Sequence, residues 1–366
     1  MRSCWSRSLR RILILIVSFL LLGLSLSGCD CAEGDVTGAF GPQCNDELVD
    51  TDGDGIPDSN ESESGGVGGT GTLLVSDLTT ISIRRFEQIS TLDSPTVTDP
   101  LLTGGLTQLT RPKYLNIHPT TGELIVADEG TSAILFFENP SDLEGNVPPS
   151  RRLVGAATEL VGPVQTFVDP ETDELYVLDT GTSQMLVFNG ASTIDGPVAP
   201  DRRLGGPRSS LAMPRAFMFR TSSEQVSIIN PDEILTFDSF KSLNGDPPPA
   251  GRFGGPATTF SNLTYGLITG AGALVVVDTG LDQIVIFDTF VFDRVNEAPS
   301  RVVSGNNTGI VEPRQFELID GTMYLANGQN VLVFDDVLQS EGNPFPDRIF
   351  SGTNPATETL QGLTLP

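Results

Sequence analysis

From residue 72 onward the chain repeats itself about every fifty residues, and no other feature limits its possible folds so sharply. Six segments align: LLVSDLTTISIRRFEQ, LIVADEGTSAILFFEN, LYVLDTGTSQMLVFNG, VSIINPDEILTFDS, LVVVDTGLDQIVIFDT and MYLANGQNVLVFDD. Each is an alternating apolar run, a polar turn and a second run that ends on phenylalanine, the period-two pattern of paired strands. The turn residue is Asp77, Asp128, Asp179, Asn230, Asp278 and Asn327, at spacings of 51, 51, 51, 48 and 49. The phenylalanines are Phe86, Phe137, Phe188, Phe237, Phe287 and Phe334. A second register keeps the same period: PSRRLVG, PDRRLGG, PAGRFGG, PSRVVSG and PDRIFSG begin at Pro149, Pro200, Pro249, Pro299 and Pro346, and each closes on a glycine. A third apolar segment opens most repeats after a proline, as in RPKYLNIHP, GPVQTFVDP, MPRAFMFR and EPRQFELID, and NLTYGLITG puts a leucine in that place.

Each unit therefore holds about four short strands, the layout of a propeller blade. One blade cannot bury both of its faces, but a ring of blades can, and closing the ring removes the long exposed sheet edge. The first repeat lacks its opening segment, while the chain finishes on LQGLTLP, which aligns with LVGPVQT at the start of a repeat. The C-terminal segment is thus expected to supply the inner strand of the first blade. The phrases YVLDTG at Tyr176 to Gly181 and VDTG at Val277 to Gly280, each followed by a strand ending in a phenylalanine, resemble the repeats of NHL-type propellers. That resemblance runs over residues 72–366 and implies an all-β, six-bladed β-propeller.

A residue that every blade carries serves the blade, so the Asp/Asn column reads as an Asx turn joining two strands. Function belongs where the symmetry breaks. After the opening proline, or the residue in its place, stand Lys113, Val164, Arg215, Thr264 and Arg314, a cation in every second blade. Lys113, Arg215 and Arg314 are expected to converge at the mouth of the central channel, beside the Asp-bearing turns, and to hold a carboxylate or phosphate of a protein or a small anionic ligand. The competing class is a metal-dependent hydrolase or lactonase with its metal in the channel; Asn116, Glu317 and Asp320 are its candidate residues. The sequence proposes no catalytic set, since His118 is the only histidine and no Ser-His-Asp arrangement accompanies it.

The formal charge is −26 and only two lysines occur, Lys113 and Lys241. Nucleic acid, which needs a cationic footprint, is excluded as a partner.

Ahead of the repeats, MRSCWSRSLRRILILIVSFLLLGLSLSG places four arginines before a short apolar run, the layout of a secretory leader. Its end, Leu26-Ser27-Gly28-Cys29, resembles the lipobox of bacterial lipoproteins. The resemblance implies removal of residues 1–28, lipidation of Cys29 and a membrane partner, with the protein anchored in the bacterial cell envelope on an extracytoplasmic side. In such an oxidising compartment the remaining pair, Cys31 and Cys44, is expected to form a disulfide.

Residues 29–71 then read as an acidic tether. Within it, DTDGDGIPDSNE puts Asp50, Asp52, Asp54, Asp58 and Glu61 at positions 1, 3, 5, 9 and 12 of a loop with a glycine at its bend. Calcium takes about six to eight oxygens, and this alternation lets successive carboxylates converge on one ion. No amphipathic helix flanks the loop, so a paired helical sensor does not fit. The stretch resembles a single thrombospondin type 3 calcium repeat, which implies Asp50, Asp52, Asp54 and Asp58 as ligands; Glu61 is added from spacing. Calcium is the one cofactor expected.

Overall fold

A computed structural model describes residues 71–90, 102–141, 143–220, 223–291, 295–351 and 359–366. The chain forms six four-stranded antiparallel sheets arranged as the blades of one propeller. The first blade contains β1 (Thr72–Asp77), β2 (Ser82–Glu87) and β3 (Leu102–Thr103). The second contains β4 (Pro112–Ile117), β5 (Leu124–Asp128), β6 (Ala133–Phe137) and β7 (Arg151–Leu153). The third contains β8 (Pro163–Asp169), β9 (Glu174–Asp179), β10 (Gln184–Asn189) and β11 (Arg202–Leu204). The fourth contains β12 (Ala216–Arg220), β13 (Gln225–Ile229), β14 (Glu233–Asp238) and β15 (Gly251–Gly254). The fifth contains β16 (Leu263–Ile268), β17 (Leu274–Asp278), β18 (Gln283–Phe287) and β19 (Arg301–Ser304). The sixth contains β20 (Pro313–Ile319), β21 (Thr322–Asn327), β22 (Asn330–Phe334) and β23 (Arg348–Ser351).

The last strand, β24 (Leu360–Thr364), adds to the first blade as its innermost strand, in the order β24-β1-β2-β3. Val75 pairs with Leu363 and Asp77 with Leu360, so the ring closes as the aligned ends predict. Gly362 makes this closure possible at close quarters. A Cβ there would stand 2.4 Å from the Lys113 carbonyl oxygen and 2.6 Å from the Tyr114 Cα, both backbone atoms of β4. Ser76 fixes the junction by donating to the Lys113 carbonyl at 2.6 Å and accepting from the Gly362 amide at 2.8 Å.

The core lies between the blades. All six phenylalanines that end the third strands are at most 2% exposed. Each packs into an apolar cluster shared by neighbouring blades, as Phe188 does with Phe136 and Ile125 across the second and third. The outer strands tie neighbours together through their arginines. Arg151 pairs with Glu123, covers the Phe136 ring at 4.1 Å and donates to the carbonyls of Ala191 and Ile194 in the next blade. Arg202 repeats the device, pairing with Glu174 and donating to the carbonyls of Phe240 and Leu243. The closing glycine of the proline-led motif has a backbone reason. Gly155, Gly206, Gly255 and Gly305 have φ between +109° and +134°, and a Cβ at each would meet a side chain of the next blade within about 3 Å.

Candidate functional site at the two ends of the channel

The Asp/Asn column frames one end of the channel. Asp179 accepts from the amides of Val161 and Gly162 at 2.8 and 3.0 Å, and from that of Thr182 at 2.8 Å. Asp128 does the same for Thr110, Arg111 and Thr131. Asn327 substitutes one acceptance from Val311 and one donation to the Gly309 carbonyl. The column therefore closes its own turn and also pins the loop that enters the inner strand, and its members are at most 3% exposed. The recurring acids are structural, as their recurrence predicts.

The inner strands begin just beyond these loops, and their first residues close the channel. The Tyr114 hydroxyl donates at 2.8 Å to the carbonyl of Thr264, three blades away, and its ring meets Tyr265 edge to face at 5.4 Å. Tyr265 in turn meets Phe316 edge to face at 5.2 Å. Burial pushes the Tyr114 phenol up to about 12, while Arg314 and Arg215 draw it down. The channel is thus sealed where an open mouth is expected from the sequence alone.

Amides on the same strands join blade to blade. Gln165 accepts from the Phe217 amide at 2.7 Å and donates to its carbonyl at 3.2 Å, copying a strand pairing between β8 and β12. Gln315 accepts from the Leu363 amide at 3.1 Å. Asn116 donates to the Thr166 carbonyl at 3.0 Å. The sequence carries a signal for this arrangement that a blade-by-blade comparison misses. The residue after the cation column reads Tyr114, Gln165, Ala216, then Tyr265, Gln315, Gly362: tyrosine, glutamine, small, repeated after three blades. The repeat gives the ring a pseudo-twofold axis, and the two tyrosines meet across it.

Around the seal stand the three expected cations. Lys113 pairs with Glu129 at 3.1 Å and reaches the Gln361 side chain at 3.5 Å. Burial lowers the pKa of its ammonium; Glu129 raises it and Arg111 and Arg314 lower it further. Arg314 pairs with Glu312 at 3.4 Å. Arg215 makes no ion pair among the described residues, and its Nε is buried without a hydrogen-bond partner. The three gather at one end of the ring, close enough that Arg215 and Arg314 both act on the Tyr114 phenol.

On the other side of the seal the channel widens into a blind cavity of about 290 Å³ lined by all six inner strands, including Asn116, Gln165, Phe219, Tyr265, Glu317 and Leu365. Of the hydrolase candidates, Asn116 and Glu317 line this cavity, but the Asn116 amide is engaged by the third blade. Asp320 lies outside the lining, exposed in the β20–β21 turn at φ 48°. Among the described residues no three His, Cys, Asp or Glu gather as metal ligands. His118 is buried and accepts through Nδ1 from the amides of Thr120 and Thr121, a turn-capping role. Cys29, Cys31, Cys44, Asp50, Asp52, Asp54, Asp58 and Glu61 lie outside the described residues.

No family model matches the chain, and no curated protein does. Among solved structures the chain is similar to one in the crystal structure of a nidogen/laminin complex, at 12% identity and a TM-score of 0.54. The match covers 81% of this chain and 98% of that one. It shows the fold alone. Propellers carry many unrelated functions, so what this one does has to be argued from its own side chains.

Proposed function

We propose that this protein is a lipid-anchored, extracytoplasmic binding propeller with NHL-like blades, which holds a partner without transforming it. Cys29 fixes it to a membrane of the bacterial cell envelope. Residues 29–71 form the tether, closed by a Cys31–Cys44 disulfide and stiffened by calcium on Asp50, Asp52, Asp54, Asp58 and Glu61. The lipobox supports the anchor, and the spaced acids support the calcium loop.

The observation that carries the binding half of the reading is Arg215. In a chain with 47 acids, this cation stands beside the sealed channel without an ion-pair partner among the described residues. A carboxylate or phosphate presented by a protein or small molecule completes it, with Lys113 and Arg314 as the flanking charges. The channel amides favour holding over chemistry, because Asn116, Gln165 and Gln315 are committed to joining blades.

Calorimetric titration of the full mature chain with succinate and with inorganic phosphate tests the mouth. At least one should bind, and Arg215→Gln should weaken it by about tenfold, the loss of one charge-assisted hydrogen-bonding partner. No heat at millimolar anion, or equal binding by the variant, contradicts the assignment. Turnover of lactones or esters that depends on Glu317 would instead favour the hydrolase.

A further inference from the structure

We infer that the cavity lined by the inner strands is a second binding site, and that it takes a neutral bicyclic aromatic molecule. It is separate from the anion site of the proposed function, because Lys113, Arg215 and Arg314 are not among its lining residues.

Size sets the bound. The cavity holds about 290 Å³. An apolar protein cavity of about 150 Å³ accepts one benzene ring, so about twice that volume accommodates two fused rings with little to spare. The volume also falls at the lower end of the range for ligand pockets, roughly 300–1,000 Å³.

The lining decides the chemistry. One wall is aromatic and comes from the third and fourth blades: the rings of Phe167 and Phe219 stand 4.4 Å apart, and those of Phe217 and Phe219 5.1 Å apart. Much of the remainder is aliphatic, with Leu267 and Ile268 from the fifth blade and Leu318 from the sixth. Phe167, Phe219, Leu267 and Leu318 stay half-buried, whereas the phenylalanines that end the third strands are at most 2% exposed. Apolar surface that the blades leave uncovered is surface that a ligand gains by covering. A flat ring also meets aromatic side chains in the offset or edge-on arrangements that they prefer.

The polar lining is already committed. Asn116 donates to the Thr166 carbonyl, and Gln165 bonds both backbone groups of Phe217. Gln315 accepts from the Leu363 amide, and Glu317 has its own interaction within the protein. A charged ligand entering here gives up its hydration without finding an uncommitted partner among these groups, whereas a neutral one gives up little. The same bonds hold the walls in place before a ligand arrives, which lowers the ordering cost of binding.

The probes carry one substituent each on the same two rings: 2-methylquinoline is neutral, 1-methylquinolinium cationic and quinoline-2-carboxylate anionic. Titrated by calorimetry into the full mature chain near neutral pH, 2-methylquinoline is expected to bind at least about tenfold more tightly than either charged probe. Acridine, one ring larger and more apolar, should bind more weakly than 2-methylquinoline, a reversal that a merely greasy surface does not produce. Leu267→Trp fills the cavity and should abolish binding of 2-methylquinoline. No heat at millimolar 2-methylquinoline, a charged probe that binds equally or better, acridine as the tightest ligand, or undiminished binding by Leu267→Trp overturns the proposal. Should the variant fail to fold, the charge and size series on the wild-type chain decides alone. Arg215→Gln should leave 2-methylquinoline binding intact, which separates this site from the anion site.

Discussion

The Tyr114 hydroxyl donates a 2.8 Å hydrogen bond to the carbonyl of Thr264, although the two residues belong to blades on opposite sides of the ring. That one contact crosses the ring between inner strands of the second and fifth blades, beside the cavity that Tyr265 lines. It also bridges parts of the chain 150 residues apart, so it adds directly to the stability of the closed ring.

Tyr114→Phe keeps the ring but leaves the Thr264 carbonyl without this donor, and should cost about 1–2 kcal/mol in urea unfolding. The phenol also makes stability depend on pH. Its folded pKa, about 12, lies above the ordinary value of 10.0, so the stabilisation is complete below about pH 10 and is lost as pH rises toward 12. Tyr176 and Tyr265 are raised as well, principally by burial. Titration of tyrosinate absorbance should therefore show these three silent in the folded protein until it unfolds in alkali. Normal titration of all tyrosines in the folded state contradicts the seal.

Gly362→Ala tests the closure. Its Cβ would stand 2.4 Å from backbone of the second blade, and overpacking of that kind costs about 1–3 kcal/mol or more. Deleting Gly362 to Pro366 should do more damage, exposing the edge of β1 and lowering both melting temperature and solubility. A truncated chain that melts like the parent would sink the closure.

Much of this was legible because it recurs. The strand count, the phenylalanine column, the Asp/Asn column and the role of LQGLTLP all follow from aligning six segments of one chain. What sequence reading missed is what occurs only twice or once. Tyr114 and Tyr265 sit in the least repetitive strand of their blades, and the contact that seals the channel depends on a three-blade offset that comparison of adjacent repeats does not reveal. Asn116, a candidate of the hydrolase alternative, donates instead to the Thr166 carbonyl of the next blade. Sequence reading named Lys113, Arg215 and Arg314 but not their ion-pair partners. Glu129 and Glu312 serve Lys113 and Arg314, and Arg215 alone is left over among the described residues.

The column makes a graded prediction. Asp179→Ala strands the amides of Val161, Gly162 and Thr182, each at about 1–3 kcal/mol if it stays buried, so the blade should lose at least about 2 kcal/mol. Asp179→Asn imitates Asn230 and Asn327 and should lose less. Equal melting of the two variants would contradict a hydrogen-bonding role.

Calcium should act on the tether and leave the propeller alone, because the five spaced acids lie ahead of the repeats. Adding the ion should protect residues 50–61 from proteolysis, with little change in the melting of the blades. Asp52→Ala with Asp54→Ala should abolish the protection. Affinity should fall as pH drops toward the carboxylate range near about 4, where protons compete for the ligands. Absence of calcium-dependent heat at millimolar ion would reduce the loop to an acidic spacer.

The central claim is that this propeller works at a membrane surface, held there by Cys29. Expressing the chain with its own leader in a bacterium, beside Cys29→Ser, and comparing membrane fractionation and intact mass tests that claim most directly. The account predicts a wild-type protein that begins at Cys29, carries the mass of its acyl chains and sediments with membranes, and a variant that loses both the added mass and the membrane association. Identical fractionation and no lipid mass in either protein would contradict it.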